Sequence, residues 1–103
     1  LHGEVDGMLM INSKDNIVRI TLDNKFDFDS IEDFRNAYTD NSGRAYEVDF
    51  RNTEYMDSSG LGMLLNMRRH LGEGTIPVKL INCRPQVKKV LMISRFETKF
   101  DIS

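Results

Sequence analysis

The 103-residue chain has no tryptophan, one cysteine, two prolines and two histidines. The scarcity of cysteine and histidine closes two classes of explanation. A lone cysteine, Cys83, cannot form an internal disulfide, so a reducing cytoplasm is the natural compartment. His2, His70 and Cys83 are too few and too scattered to make a metal-ligand set, and no cofactor is expected. No apolar run approaches the length of a bilayer span, which predicts no membrane segment. No signal-peptide pattern is visible, and residues 1–7 read as a loose or processed start. Repeats and low-complexity tracts are absent. So is any basic excess: 14 Lys and Arg against 16 Asp and Glu leave a formal charge of −2, which argues against direct nucleic-acid binding. What is present is ordinary for a globular protein, 40% hydrophobic and 29% charged. The length suits one domain over residues 1–103 with a modest core of its own.

One stretch organises the rest: Tyr55-Met56-Asp57-Ser58-Ser59-Gly60-Leu61-Gly62. Ala45 to Phe50 before it alternates apolar and polar, which is a strand pattern. Met63 to Leu71 after it is rich in helix formers. The stretch is therefore a strand-to-helix turn, where backbone N–H groups point outward and hold anions. Asp57, Ser58 and Ser59 are all good N-cap residues. Taken alone, such a cluster is more often a cap than a site. The glycines alter that balance. Gly60 and Gly62 fall in the first turn of the helix, where each costs roughly 1 kcal/mol relative to alanine, and a cap needs neither. Bare backbone there lets another backbone or a phosphate approach closely.

The remainder predicts a regular alternation. Met8 to Ile11 reads as a first strand, Lys14-Asp15-Asn16 as a turn, and Ile17 to Leu22 as a second strand in a hairpin with the first. Val18, Ile20 and Leu22 share one face. Asp23-Asn24-Lys25 breaks the strand. Ser30 with Asp33 gives a capping-box pattern, and Ile31, Phe34, Ala37 and Tyr38 fall on one helical face. The strand from Ala45 puts Tyr46, Val48 and Phe50 on one face, with Glu47 and Asp49 on a wetter one. The second helix runs from about Ser58 to Leu71 with Leu61, Leu64, Leu65 and Leu71 toward the core. Arg68, Arg69 and His70 suit its dipole. Pro77 to Asn82 is a further strand, and Pro85 opens a third helix with a Val87, Val90, Leu91 stripe. Phe96 and Phe100 cover the sheet or the helix end. Asp101 to Ser103 is a last short strand or a tail. Cys83 is read as a small buried hydrophobe, Met56 and Met63 as core filler rather than contact surface, and Lys88, Lys89 and Arg95 as a solvated face rather than a contact for an acidic partner. Strands alternating with helices predict an α/β fold: a small, mixed, mostly parallel sheet behind an initial hairpin.

Met56-Asp57-Ser58-Ser59-Gly60-Leu61-Gly62 resembles the signature of the bacterial anti-sigma factor antagonists, members of the STAS domains. Pro85 to Leu91 resembles that family's proline-started third helix, and Phe26-Asp27 stands where the family has a short acidic loop. The resemblance implies helices packed mainly on one face of the sheet. It implies that Ser58 is phosphorylated by a partner serine kinase, often the anti-sigma factor itself, and dephosphorylated by a PP2C-type phosphatase. Asp57, Ser59, Gly60, Leu61, Gly62 and Asp27 would then shape the partner site, and the chain would be a binding module rather than an enzyme. A nucleotide contact at the helix start is also implied, since some members bind nucleotides. Two positions depart from the family: Asp23-Asn24 replaces a common glycine, and Ser94-Arg95 stands where serine-glycine is usual.

Two other readings fare worse. A serine hydrolase elbow needs glycine two before the nucleophile, and Met56 and Asp57 stand there. His70 lies about 18 Å down the helix from Ser58 at 1.5 Å per residue, too far to serve as a base. A dinucleotide site lacks its third glycine, which is Leu65, and an acid near residues 80–82. The alternative that stays is a STAS subunit of a transporter or lipid-trafficking complex, with no phosphate switch.

Overall fold

In the computed structural model, which describes residues 9–72 and 74–103, the alternating segments form the sheet. Val18, Ile20 and Leu22, then Tyr46, Val48 and Phe50, then Val78 and Leu80, are all buried on one face. They lie on β2 (Ile17–Thr21), β4 (Ala45–Asp49) and β6 (Val78–Ile81), or just past their ends. With β1 (Met10–Lys14) and β7 (Asp101–Ile102) these strands make a sheet of order β1-β2-β4-β6-β7. Only the β1–β2 pair is antiparallel. The hairpin between them turns on Asp15 and Asn16, both at positive φ (56° and 63°), the two-residue turn that matches strand twist. From β2 onward each crossover moves the same way across the sheet. Right-handed crossovers in one direction place every helix on the same face, so α1 (Ile31–Thr39), α2 (Ser58–His70) and α3 (Pro85–Ile93) cover the apolar side and leave the other polar.

The sequence pattern needed several corrections. The first strand starts at Met10 and continues through Asn12 and Ser13 to Lys14, because pairing with β2 rather than apolar content sets its length; Met8 lies outside the described residues. Ser30 makes no side-chain cap bond to α1. Instead Asp27 caps a 3-10 turn, Phe28–Ser30, that leads into α1, and Ser30 Oγ donates to the Lys25 carbonyl. That turn rotates Ile31 outward, where it is exposed while Phe34, Ala37 and Tyr38 are buried. In α2 the buried apolar side chains are Met63, Leu64 and Met67, with Leu61 and Leu65 half-buried against the core. The core reading thus holds for Met63, and Met56 packs on the core partly buried. Cys83 is half-buried, and burial pushes its thiol up to about 11.

Two charged residues are deeper than expected. Asp49, on the polar face, is fully buried. It accepts from the Arg51 amide (2.9 Å), Arg51 Nε (2.8 Å) and Asn82 Nδ2 (3.0 Å). Burial alone would raise its pKa, but these bonds and the Arg51 charge outweigh it and hold the carboxyl below the usual range. Arg68 is not a surface charge at a helix end. It is 5% exposed and donates to the carbonyls of Gly72, Ile76 and Lys99, tying the end of α2 to both following segments. Arg95 occupies the left-handed region (φ 63°, ψ 32°) just after α3, a conformation glycine adopts at no steric cost.

Candidate functional site

The start of α2 is built by a second, very small sheet. β3 (Lys25–Phe26) pairs in parallel with β5 (Tyr55–Met56), with Phe26 opposite Met56. The next residue along each strand is an aspartate, Asp27 and Asp57. Each caps the helical segment that follows it: Asp27 accepts from the Asp29 amide (3.1 Å), and Asp57 Oδ1 accepts from Ser59 N (2.9 Å) and Gly60 N (3.3 Å). These are the orphan amides that a helix start leaves unsatisfied.

Of the three candidate cap residues, Asp57 takes the role, with an extended backbone (φ −111°, ψ −171°). Ser58 is therefore the first helical residue. Its side chain is exposed, whereas Ser59 is half-buried and Gly60 buried. Among the described residues no hydrogen bond joins Asp57 to the Ser58 hydroxyl, so Asp57 shapes the turn rather than holding the serine. A hydroxyl at this position stands in the positive field of the helix N-terminus and is not needed for the cap.

The two glycines have different reasons. A Cβ on Gly60 would come within 2.6 Å of Met56 Cγ and 2.8 Å of the Phe26 carbonyl oxygen. Gly60 lets α2 sit directly on the β3–β5 pair, which brings Asp27 and Asp57 to one level. A Cβ on Gly62 would meet nothing within 4 Å. Packing within the described residues gives no reason for that glycine, so its bareness faces outward. Sequence pattern assigns no role to the exposed aromatics around this helix start. Phe28 and Tyr55, next to the two-stranded pair, are 64% and 51% exposed. A two-residue strand carries no periodicity, so nothing in the sequence paired Phe26 with Met56. His70 belongs elsewhere, its ring 5.2 Å from that of Tyr38. Among the described residues no three His, Cys, Asp or Glu side chains gather to hold a metal, and no helix is long and apolar enough to cross a membrane.

Comparison with known proteins agrees with this geometry. Residues 9–101 match the family model described as "Mlab, STAS domain". A STAS-domain containing protein of Pseudomonas aeruginosa is 48% identical over 86 residues, 82% of this chain and 85% of that one. Among solved structures, the anti-sigma factor antagonist SpoIIAA in its unphosphorylated form superposes with a TM-score of 0.76 at 24% identity, over 92% of this chain and 87% of that one. The Bacillus cell fate determinant SpoIIAA in the phosphorylated form gives 0.69 at 22% identity, over 92% and 90%. An anti-sigma factor antagonist from Mycobacterium paratuberculosis gives 0.76 at 17% identity, over 92% and 83%. With this fold, this helix start and this family match, the chain belongs to the STAS-domain family and has the fold of the anti-sigma factor antagonists.

Proposed function

We propose that the chain is a phosphorylation-switched binding module, with Ser58 as the switch. Unphosphorylated, it binds a serine kinase that doubles as an anti-sigma factor and so frees a sigma factor or another regulator. Phosphorylation of Ser58 releases the partner, and a PP2C-type phosphatase restores the binding form; all of this takes place in the cytoplasm. The chain itself does no catalysis.

The observation that carries this reading is the division of labour at the start of α2: Asp57 caps the helix, and Ser58 is left exposed. A phosphate there adds about −1.5 to −2 charge. The helix N-terminus accommodates it, so the fold survives. A docked partner does not, because the added charge stands beside Asp57 and Asp27 and must be desolvated without a counter-ion, at a cost of several kcal/mol. Gly62 leaves room for close approach along the helix, and exposed Phe28 and Tyr55 supply the aromatic anchors that interfaces favour.

Phosphopeptide mapping of the protein from its native cells tests the assignment, with and without the phosphatase. Phosphate on Ser58 is expected. Phosphate confined to Ser59 would move the switch to the half-buried hydroxyl. No phosphate under any condition would favour the subunit of a transporter or lipid-trafficking complex.

A further inference from the structure

Far from Ser58, α2 ends at a second feature. Arg68 is ten residues further along the helix, about 15 Å at the helical rise. It lines a cavity of about 610 Å³ between α3, the 97–100 turn and the strands β6 and β7. The buried Val78 and Phe100 contribute its floor, and Met92, 42% exposed, continues it onto α3. Lys79 and Lys88 stand on its rim.

Three cations of this cavity, Arg68, Lys79 and Lys88, have no carboxylate partner among the described residues. Arg68 is 5% exposed, yet among the described residues no carboxylate pairs with it. Carbonyl oxygens take its terminal nitrogens, Phe100 lies under its guanidinium (6.0 Å to the ring centroid), and Nε has no partner. Burying a cation without a counter-charge is costly. Lys79 and Lys88 form no ion pair either among the described residues. Of the two acids on the wall, Glu97 is taken by Arg95 at 3.2 Å, which leaves Asp101.

We infer that this cavity docks an acidic peptide segment with one or two apolar anchor residues, presented by a partner protein. The carboxylates would meet Lys79 and Lys88 and offset the buried Arg68 charge, and the anchor would cover the exposed side of Met92. Two observations favour a protein segment over a small anion. Met92, which lines the cavity, and the next residue of α3, Ile93, are apolar side chains left 42% and 71% exposed. β7, whose residues line the wall, is also one of the two edge strands of the sheet among the described residues, and an edge strand can accept an extended peptide through its backbone. This surface is independent of the Ser58 reading and stands if that reading fails.

The test is a display library of random 12-residue peptides, panned on the full chain and on Lys79→Glu/Lys88→Glu. Both lysines are exposed, so the variant should fold, and its urea midpoint is checked against the parent. Lys79→Gln/Lys88→Gln serves as a milder second variant. The expected peptides are acidic with an apolar anchor, bind the charge-reversed variant on the order of tenfold more weakly, and shift the amide resonances of residues 78–79 and 99–102. Neutral or basic peptides, peptides that do not discriminate the variants, or shifts confined to residues 55–62 would overturn the inference. So would an empty selection with lysine-dependent binding to phosphatidylglycerol vesicles, or an empty selection with lysine-dependent self-association in sedimentation.

Discussion

The two glycines at the start of α2 allow a paired experiment in which the same substitution has opposite signs. Alanine is favoured over glycine in a helix by roughly 1 kcal/mol. At Gly62 nothing lies within 4 Å of the added Cβ, so Gly62→Ala should stabilise the domain by close to that amount. At Gly60 the same methyl meets Met56 Cγ at 2.6 Å, the Phe26 carbonyl oxygen at 2.8 Å and Phe26 Cδ2 at 2.9 Å. Met56 can move, but the carbonyl belongs to β3 and the ring is fully buried between Phe34 and Phe50. Overpacking of this kind costs about 1–3 kcal/mol or more. The upper half of that range exceeds the propensity gain, so Gly60→Ala should destabilise by about 1–2 kcal/mol. Urea unfolding reads both. With m near 1–3 kcal/mol per molar, a change of about 1 kcal/mol moves the midpoint by about 0.3–1 M. The midpoints of the two variants should fall on either side of the parent. A stabilised Gly60→Ala would refute the close approach of α2 to the β3–β5 pair, and with it the reason Asp27 and Asp57 stand side by side.

Arg95→Gly should stabilise the chain by about 1 kcal/mol in thermal unfolding, because it relieves a left-handed backbone (φ 63°) at an exposed residue; a loss would mean that the Arg95–Glu97 pair outweighs the strain. Asp49 governs part of the acid limb. Its folded pKa is lowered, so its contribution is present above the unfolded value near 3.9 and is lost as pH falls through the lower folded one. Asp49→Asn should therefore be less stable than the parent at pH 7 and lose less on acidification below about pH 4, as followed by urea midpoints across pH; parallel curves would contradict the assignment.

The periodic parts of the fold were legible in the sequence because their physics is local. Val18, Ile20 and Leu22 alternate, Pro85 opens a helix, and Asp15-Asn16 makes a turn. The signature marked the place of the candidate site for the same reason: glycines in a first helical turn are unfavourable and stand out. Long-range causes were not legible. Arg68 has the pattern of a surface charge near a helix C-terminus, and only the return of the chain at Ile76 and Lys99 buries it. Asp49 has the alternation of an outward residue, and Arg51 and Asn82 close over it. Which of three adjacent polar residues would cap α2 depended on where β5 ended, and β5 is set by pairing with β3.

The central claim is that charge at Ser58 controls partner binding without disturbing the fold. It is tested most directly by titration calorimetry of the cognate kinase with the parent and with Ser58→Asp, both shown folded by their urea midpoints. As the first residue of α2, beside the Asp57 cap, an aspartate here interacts favourably with the helix dipole, so stability should stay within about 1 kcal/mol of the parent. Next to Asp57 in a desolvated interface it should weaken binding by about 2 kcal/mol or more, roughly thirtyfold. A folded Ser58→Asp protein that binds with the parent's affinity would contradict the account.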